Sequence, residues 1–480
     1  MTVRARTPRV AALFLAAAAV LTTAVGTGSA VDHTRRPAAL DGTWRMDGYG
    51  TVVSIDGGGH RLRTYDTTAV SCLPGLRDAV HNGSRDGAGR RFEQQGEAPV
   101  TVAPAGRDKA VLRFTDNVGH RTLHRIPELP AECRRTVPED KADPRDVFDV
   151  FWQTYAENYP FFAAKHIDWQ AVRERFRPRV TKTTDDKELF AVLREMIEPL
   201  HDGHTAIEAP GRQYGGKRQD TVFTKETKPR IDAAVAESVG VPEAAWQTWA
   251  QGAISFAELP GGVGYLRVTR FQDYTEDGGH EADRAELDRA LDAVFTSART
   301  RGPGALRGLV LDVRFNGGGS DRLALRLAER LTDRPYTAYL KHARNDPRDP
   351  GKFTTPQPIG VSPHRGPVYT GPVAVLTGRL TISAGETFTQ ALMGRAHETT
   401  RIGENTQGAF SDTLDRKLPN GWTFLLPNEE FLSAADRRTT YDGQGIPPDI
   451  ATPVFTDEEF AAHRDSALTR ARALLGGSRG

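Results

Sequence analysis

Ser383 stands in a segment whose local sequence suits acyl transfer. An apolar run that predicts a buried strand precedes it, and a run that predicts a helix follows it. The unpaired N–H groups and the dipole at the N-terminus of a helix favour negative charge. An oxyanion formed on a carbon bonded to the Ser383 oxygen would therefore find the N–H of Ala384 close by. The alternative is an ordinary capping box, because Ser383 and Glu386 form the pattern Ser-x-x-Glu.

Three consecutive glycines, which begin at Gly317, follow another predicted buried strand, residues 308–313. Glycine permits positive φ and lets the backbone approach a ligand closely, and N–H groups in such turns can bind anions. The N–H groups of Gly317 or Gly318 are therefore candidate oxyanion donors beside that of Ala384. A phosphate-binding loop is a rival, but the chain lacks Gly-x-x-x-x-Gly-Lys-Ser/Thr, and no Gly-x-Gly-x-x-Gly opens this helix. A glycine-rich turn that binds nothing is the third possibility.

His204 is the candidate general base. Imidazole is the usual partner of a serine nucleophile near neutral pH, and His204 follows a predicted helix and the loop residues Asp202 and Gly203. A lone histidine is more often a surface or core residue without a chemical role, so this interpretation depends on Ser383. Asp442 is the candidate carboxylate that orients the imidazole. Alternatively, it belongs to an ordinary Asp-Gly turn.

The elements around these residues predict a mixed α/β core. From residue 262 onward, apolar runs typical of buried strands alternate with amphipathic helical patterns, which is the order of a layered α/β structure. We assign residues 256–455 to this core and residues 456–480 to a C-terminal helix. The predicted strands cover residues 263–268, 308–313 and 373–376, and the predicted helices cover residues 281–298, 321–331, 384–396 and 457–475.

The first half of the chain predicts three further parts. Residues 31–140 form a small β-rich domain, because short alternating runs are separated by Gly-rich turns. Residues 141–208 form a helical cap, in which Asp185 or Asp186 begins a helix. Residues 209–255 are polar and irregular, and we interpret them as a linker or a loop-rich insertion.

Cys72 and Cys133 are the only cysteines of the chain. Two cysteines in an exported chain usually pair, so we predict one intramolecular disulfide rather than two thiols or an intermolecular bond. We expect this bond to stabilise the β-rich domain without contributing to the chemistry. Neither cysteine belongs to a close Cys/His cluster with zinc spacing, so no metal site is predicted.

Residues 1–30 have the pattern of a secretory signal peptide. Three arginines precede an apolar run over residues 10–25, and small residues at 28–30 suit cleavage. An uncleaved anchor is the alternative, but the apolar run is short of the roughly 20 residues that a bilayer requires. No second such run exists, so we predict a secreted protein, extracellular or associated with the cell wall, without a membrane span after cleavage.

Charge and length exclude several function classes. The 480 residues include 63 Lys and Arg against 62 Asp and Glu, for a formal net charge of +1. Such a balance does not favour nucleic acid or an anionic membrane as the main partner. The length suggests two or three domains with a full hydrophobic core.

Six segments together resemble the C-terminal-processing and tricorn-type serine peptidase family. The likeness covers about residues 145–205 and 262–452, and the segments occur in the order of the family. They read PLHDGHT, GVGYLRVTRF, LVLDVRFNGGG, VLTGRLTISAGETFTQAL, IGENTQGAF and DGQGIPPDI. The resemblance implies that Ser383 is the nucleophile of a peptidase.

One arrangement in this family is a Ser-Lys dyad, with the lysine in a GKG element after the serine. Ala409 stands at that place here, and Lys417 is the only lysine C-terminal to Ser383. The resemblance therefore implies the tricorn-like arrangement, with His204 as base and Asp442 as carboxylate. Asp442 stands where the family more usually has Glu, and residue 203 is glycine where the tricorn arrangement has a serine.

The resemblance further implies a crotonase-like ββα spiral core behind the helical cap. Residues 209–255 are too short and polar for the PDZ domain that many dyad-type members carry. The predicted activity is hydrolysis of peptides or proteins through an acyl-enzyme, without metal or organic cofactor, in an oligomeric state that the sequence does not reveal. Two other activities suit the same fold. They are non-catalytic binding of an apolar ligand, and esterase or amidase activity on a non-peptide substrate.

Overall fold

The computed structural model describes residues 40–476 except 87–88, 95–96, 135–137 and 277. Residues 1–30, the predicted signal peptide, lie outside the described residues. Within the part of the chain that is described, no helix combines the length and apolarity needed to cross a membrane.

The predicted β-rich part is a closed barrel of eight strands. These are β1 (Gly42–Met46), β2 (Thr51–Asp56), β3 (Arg61–Thr67), β4 (Cys72–Asp86), β5 (Gly89–Gln94), β6 (Glu97–Pro104), β7 (Lys109–Phe114) and β8 (Arg121–Ile126). Consecutive strands pair antiparallel, and β8 pairs with β1 to close the barrel. Trp44, Leu62, Phe92 and Leu123 are buried in its core. Alternating apolar residues predicted the strands, whereas closure depends on pairing between distant strands.

Three helices follow the barrel, as predicted for residues 141–208. They are α1 (Pro144–Asn158), α2 (Trp169–Phe176) and α3 (Asp186–Ile197). The side chains of Asp143, Asp168 and Asp185 cap them by accepting hydrogen bonds from first-turn N–H groups. The helices share one hydrophobic core with the barrel interior. The barrel is therefore continuous with the rest of the molecule rather than an appendage.

Cys72, the first residue of β4, is bonded to Cys133, as predicted. The two Cα atoms are 4.7 Å apart, and the residues are separated by 61 positions in sequence. The bond joins the barrel to the segment that leads into α1.

Residues 209–255 are not the irregular linker that their composition predicted. The elements here are β9 (Ala206–Ala209), β10 (Arg212–Gly215), α4 (Thr227–Val239), β11 (Gln247–Trp249) and β12 (Ile254–Leu259). Helix α4 buries Ile231, Val235 and Val239 at four-residue spacing. This narrow stripe lies among many polar residues, so its helical period was easily missed.

The α/β core is built on a mixed seven-stranded sheet. Its chain segment contains β13 (Val263–Val268), β14 (Gly308–Asp312), β15 (Phe315–Asn316), β16 (Tyr336–Ala343), β17 (Gln357–Val361), β18 (Val373–Thr377), β19 (Leu380–Thr381), β20 (Thr399–Gly403), β21 (Thr413–Lys417), β22 (Thr423–Pro427), β23 (Glu429–Ser433) and β24 (Ile450–Ala451). The sheet order is β11-β12-β13-β14-β18-β20-β24, and the pairs from β13 to β24 are parallel. Every residue of β14 and β18 is buried, as their apolar runs predicted.

Three smaller sheets have the orders β10-β9-β22-β21, β15-β19 and β17-β16-β23. The helices of this half are α5 (His280–Val294), α6 (Ser297–Thr300), α7 (Asp321–Ala328), α8 (Ala384–Met393), α9 (Asp457–Ala461) and α10 (Ser466–Gly476).

Two of the predicted helices are each divided into two in the structure. Residues 281–298 are interrupted after α5, and the C-terminal helix is broken between α9 and α10, where His463 has φ 47°.

Candidate active site

Strands β15 and β19 place two of the predicted loop sites side by side. β14 and β18 are parallel neighbours, and the chain beyond each continues into β15 and β19, which also pair. The N–H of Ile382 then donates to the carbonyl of Asn316 (3.0 Å). A Cβ added at Gly318, where φ is +84°, would lie 2.6 Å from the Cβ of Ser383. Only glycine can therefore pass this close to Ser383.

Ser383 has an unusual backbone conformation for a helix N-cap. Its φ is 57° and its ψ is −123°, whereas the N-caps Asp185 and Ser320 both have φ −80° and the usual extended backbone. The capping box with Glu386 is present, and Ser383 N–H donates to Glu386 Oε2 at 3.3 Å. A residue held in a sparsely populated conformation costs about 1–3 kcal/mol, and such residues cluster at functional sites. The conformation indicates a role beyond capping.

Two predicted oxyanion donors are already engaged. Gly317 N–H donates to the carbonyl of Thr269 (2.9 Å), and Gly318 N–H donates to Oδ1 of Asn316 (3.0 Å). The assignment of Gly317 and Gly318 as donors is therefore wrong for this conformation. A turn of three glycines does not show in its sequence which N–H groups the neighbouring strand and side chains use.

Two other N–H groups near the serine remain available. Ala384 begins α8, so its N–H has no partner within the helix. On either side of Gly319, the carbonyl of Gly318 and the N–H of Ser320 form hydrogen bonds with the backbone of Phe271. The N–H of Gly319 itself has no partner among the described residues. Gly319 and Ser383 line the same cavity. The structure thus keeps Ala384 as a candidate donor and adds Gly319.

His204 lies on the loop between α3 and β9, which packs against the segment before Ser383. A Cβ added at Gly203 would lie 2.9 Å from Cδ1 of Ile382, so glycine permits this close packing. Oδ1 of Asp202 accepts a hydrogen bond from the backbone N–H of His204 (2.9 Å) and holds the loop. His204 and Ser383 line one cavity of about 310 Å³. The structure therefore brings the predicted nucleophile and base to one site.

The surroundings of His204 favour the neutral imidazole. Burial lowers the pKa of His204 below its usual value, while Asp202, Asp412 and the backbone of Ser411 act in the opposite direction. Nδ1 of His204 is enclosed and has no hydrogen-bond partner among the described residues. A neutral imidazole can accept a proton, so the lowered pKa suits a base that works near neutral pH.

Asp442 does not bind the imidazole in this structure. Its Oδ2 accepts a hydrogen bond from Oγ1 of Thr440 (2.6 Å), and its Oδ1 accepts one from the N–H of Phe410 (3.3 Å). Burial raises the pKa of Asp442 well above its usual value. The predicted contact with His204 is therefore corrected: the short side chain stabilises the backbone near the site, and Nδ1 of His204 is left without its carboxylate.

Residues 408–412, here called the connecting segment, join the serine side of the site to the histidine side. The carbonyl of Ala409 accepts a hydrogen bond from Ser383 N–H (3.0 Å). The carboxylate of Glu386 accepts from Gly408 N–H (2.6 Å) and Ala409 N–H (2.8 Å). Burial raises the pKa of Glu386 to about 7, although these N–H groups oppose the rise. The segment is thus anchored to the first turn of α8.

The structure offers no lysine base at the predicted dyad position. Ala409 is buried there, and its backbone is used as described above. Lys417 lies on β21 and forms an ion pair with Glu139 (3.3 Å). Lys417 is not among the residues that line the cavity. A Ser-Lys dyad is therefore not formed by these residues.

One rim of the barrel forms the far wall of the cavity, which the sequence did not predict. The end of β1, the start of β2, the end of β7 and the start of β8 lie at this rim. The barrel residues that line the cavity are Met46, Tyr49, Thr51, Thr64, Asp66, Ala98, Phe114, Asp116, Asn117 and Arg121. On the core side, Asp412 also lines the cavity; it was missed, although it follows the recognised segment IGENTQGAF by two residues.

Among the described residues, no group of three or more His, Cys, Asp and Glu side chains is arranged to hold a metal ion.

Comparison with protein families decides the class of the molecule. Residues 262–452 match the model of peptidase family S41, and residues 140–198 match the C1 domain of tricorn protease. Residues 262–452 therefore form a peptidase family S41 domain. This S41 chain is therefore a serine-type peptidase, a hydrolase that acts on peptides or proteins.

Comparison with solved structures matches the chain to a peptidase candidate from Parabacteroides merdae ATCC 43184, which has a similar fold. It is 26% identical, with a TM-score of 0.56, and the match covers 70% of this chain and 97% of that chain. Mature CPAF complexed with lactacystin is 13% identical, with a TM-score of 0.49, over 70% of this chain and 97% of CPAF. The photosystem II D1 C-terminal processing protease is 14% identical, with a TM-score of 0.40, over 65% and 94%.

Proposed function

We propose that this S41 peptidase cleaves peptide bonds through an acyl-enzyme on Ser383, with His204 as general base. The observation that carries the proposal is the strained Ser383 at the N-terminus of α8, in one cavity with His204. The N–H groups of Ala384 and Gly319 support it, because they have no backbone partner in the part of the chain that the structure describes and are suited to bind a developing oxyanion.

The reaction divides into two acyl transfers. His204 takes the proton of the Ser383 hydroxyl as the oxygen attacks the carbonyl carbon of the peptide bond. The tetrahedral oxyanion is bound by the N–H groups of Ala384 and Gly319. His204 then gives its proton to the leaving amine, and the C–N bond breaks. Water then attacks the carbonyl carbon of the ester on Ser383 while His204 takes one of its protons. The second tetrahedral intermediate breaks its bond to the Ser383 oxygen, which takes the proton back from His204, so the acid is released and the hydroxyl is restored.

Asp442 has a supporting place in this proposal. It accepts a hydrogen bond from Phe410 N–H in the connecting segment, whose Ala409 carbonyl binds Ser383 N–H. Asp442 therefore helps to set the backbone against which both Ser383 and His204 pack. By resemblance, we also propose that the sheet and helices of residues 256–455 form a crotonase-like spiral core.

We further propose that the protein acts outside the cytoplasm, in the extracellular space or at the cell wall. The pattern of residues 1–30 supports export. The Cys72–Cys133 bond fits the same compartment, because disulfides persist in oxidising environments. Expression of the full chain in a bacterial host, followed by mass determination of the culture supernatant, tests it. A protein that stays in the cytoplasm with an intact N-terminus would contradict it.

The central experiment is Ser383→Ala. We expect this change to lower peptide hydrolysis by at least about 10³-fold and to abolish covalent labelling by a fluorophosphonate probe. Asp168→Ala is the matched control, because Asp168 caps α2 away from the cavity and its loss costs about 1 kcal/mol of stability. The control should retain labelling and activity.

Intact mass and peptide mapping should place the adduct on Ser383. A Ser383→Ala protein with normal circular dichroism and full activity would refute the mechanism. Labelling without hydrolysis of any peptide, but with hydrolysis of esters, would instead show the esterase alternative. Absence of both would favour the non-catalytic ligand-binding alternative.

A further inference from the structure

We infer that Asp412, held in place by Asn117 of the barrel, is the positioning carboxylate that stabilises the protonated form of His204. This inference rests on the proposed function, because it concerns the imidazolium that forms during proton transfer. Asp412 then has the electrostatic role predicted for Asp442. The barrel contributes to the active site through Asn117, which holds Asp412 in place.

The first observation is the place of Asp412. It is the last residue of the connecting segment and lines the cavity together with His204 and Ser383. The hydroxyl of Ser411 accepts hydrogen bonds from the N–H groups of Asn428 (3.1 Å) and Glu429 (3.0 Å), which ties the segment to the start of β23. The backbone beside His204 is thereby held, and the carboxylate of Asp412 follows it directly.

The second observation is that Asp412 is surrounded by donors. Its Oδ2 accepts hydrogen bonds from Nδ2 of Asn117 (2.8 Å) and from Nζ of Lys341 (2.8 Å), and the guanidinium of Arg121 lies 3.6 Å away. Lys341 also reaches Oε2 of Glu429 (3.3 Å). These cations hold the pKa of Asp412 well below its usual value. These cations therefore favour the charged form of the Asp412 carboxylate against the opposing effect of burial.

The surroundings of Asp442 favour the charged form less than those of Asp412 do. Burial raises the pKa of Asp442, and its two oxygens are used by Thr440 and Phe410. Because a neutral carboxyl stabilises an adjacent imidazolium less than a carboxylate does, Asp412 is better suited to this role than Asp442. Asp202 is the other carboxylate that raises the pKa of His204, and its effect is larger than that of Asp412. Asp202 lies on the loop of His204 itself, whereas Asp412 is supplied by the connecting segment and bound by the barrel.

The third observation concerns the barrel loop at residues 115–120, which connects β7 and β8. The carbonyl of Asp116 accepts a hydrogen bond from Oγ of Ser320 (2.5 Å), and the carbonyl of Asn117 accepts from the guanidinium of Arg322 (3.0 Å). Ser320 follows the proposed oxyanion donor Gly319. One barrel loop thus contacts the oxyanion side of the site through Ser320 and the histidine side through Asp412.

The pH dependence of His204 is set by charges from several elements. Asp202 lies on its own loop, Asp412 lies on the connecting segment, and Ser411 contributes its backbone. The titratable and charged groups that act on Asp412 or share its network are Lys341, Arg121, Glu429, Tyr49 and Asp321. Removal of the Asp412 charge leaves Asp202 as the remaining anion beside His204. We therefore expect a further fall in the pKa of His204.

The test uses the full chain and the variants Asp412→Asn, Asp412→Glu and Asn117→Ala. For Asp412→Asn we expect about a tenfold lower kcat, little change in KM, and an acid limb of the kcat profile moved by about half a pH unit to lower pH. Asp412→Glu keeps the charge, so it should keep the acid limb near its original pH. Asn117→Ala should also lower kcat, by a smaller factor. This variant keeps the charged groups of the network, so it still tests the inference if Asp412→Asn fails to fold.

Gln357→Ala is the matched control. Gln357 also joins the barrel to the core, through hydrogen bonds with the N–H (3.0 Å) and the carbonyl (2.8 Å) of His120, but it does not contact Asp412. It should leave kcat and the pH profile unchanged. If the Asp412 and Asn117 variants behave like Gln357→Ala while activity still requires Ser383, the inference is overturned and the proposed mechanism stands. If activity survives Ser383→Ala, the proposed mechanism itself fails.

Discussion

His204 experiences opposing influences on its pKa, and their balance has a measurable consequence. Burial is the largest, and it lowers the pKa below the usual value of about 6.5. The base form of the imidazole is the neutral one, so activity should rise with pH through a midpoint below that value and be complete at neutral pH. A pH profile of kcat/KM measures it. A profile that rises only above about pH 8 would indicate another base.

Variants of His204 and Lys417 distinguish a histidine base from a lysine base. His204→Ala should lose nearly as much activity as Ser383→Ala, because both act on one proton transfer. Lys417→Ala should retain activity, since Lys417 pairs with Glu139 outside the cavity. Initial rates on one peptide substrate compare the three. An inactive Lys417→Ala protein with a normal fold would restore the dyad as a candidate.

At the scale of elements, Glu386 links α8 to the connecting segment. Its oxygens accept hydrogen bonds from Gly408, Ala409 and Ser383 N–H groups. Glu386→Gln would turn one acceptor into an NH₂ donor that faces these N–H groups, so a buried donor pair would be left unsatisfied. We expect a loss of about 1–3 kcal/mol in the free energy of unfolding and a lower kcat. Denaturant unfolding and initial rates measure the two effects.

Glu459→Gln is the control for a Glu-to-Gln change that lowers stability away from the site. Glu459 caps the turn before α10 by accepting from Ser466 N–H (2.8 Å), far along the chain from the site. Glu459→Gln should lower stability without lowering the kcat of the folded protein. If Glu386→Gln keeps full kcat, the connecting segment is not held in place by this carboxyl.

At the scale of the whole molecule, the barrel is both stabilised by a disulfide and placed against the cavity. The Cys72–Cys133 bond spans 61 positions, for which the chain-entropy model gives roughly 4 kcal/mol. The sequence alone predicted no effect of this bond on the chemistry. Because ten barrel residues line the cavity, we now expect reduction to lower the temperature at which fluorophosphonate labelling of Ser383 is lost.

Labelling measured against temperature, with and without reductant, tests this expectation. The double variant Cys72→Ala and Cys133→Ala is the control for side effects of the reductant and should behave like the reduced protein. If labelling persists unchanged after the barrel has melted by circular dichroism, the core is self-sufficient and the barrel wall is dispensable for the nucleophile.

The sequence by itself determined the parts of this protein that depend on near neighbours. The buried strands β13, β14 and β18 were predicted from apolar runs within a few residues of their bounds, because burial on both faces requires such runs. Asp185 was one of two residues predicted to begin α3. Ser383 and His204 were predicted as nucleophile and base from short motifs, in which the residue types of near neighbours indicate the local backbone.

Only the tertiary structure decided what distant partners leave free or occupied. Thr269 and Asn316 take the N–H groups of Gly317 and Gly318, so the available donor shifts to Gly319. Phe410 and Thr440 take the oxygens of Asp442, and the barrel supplies Asn117 to Asp412. The bonds of Gly317 to Thr269, Phe410 to Asp442 and Asn117 to Asp412 join residues far apart in sequence, whose proximity depends on the packing of distant elements. The bonds of Gly318 to Asn316 and of Thr440 to Asp442 are local, but they form only in the loop conformations that this packing imposes. A hydrogen-bonding group can be read from one residue, but its occupancy depends on the residues that the complete fold brings to it.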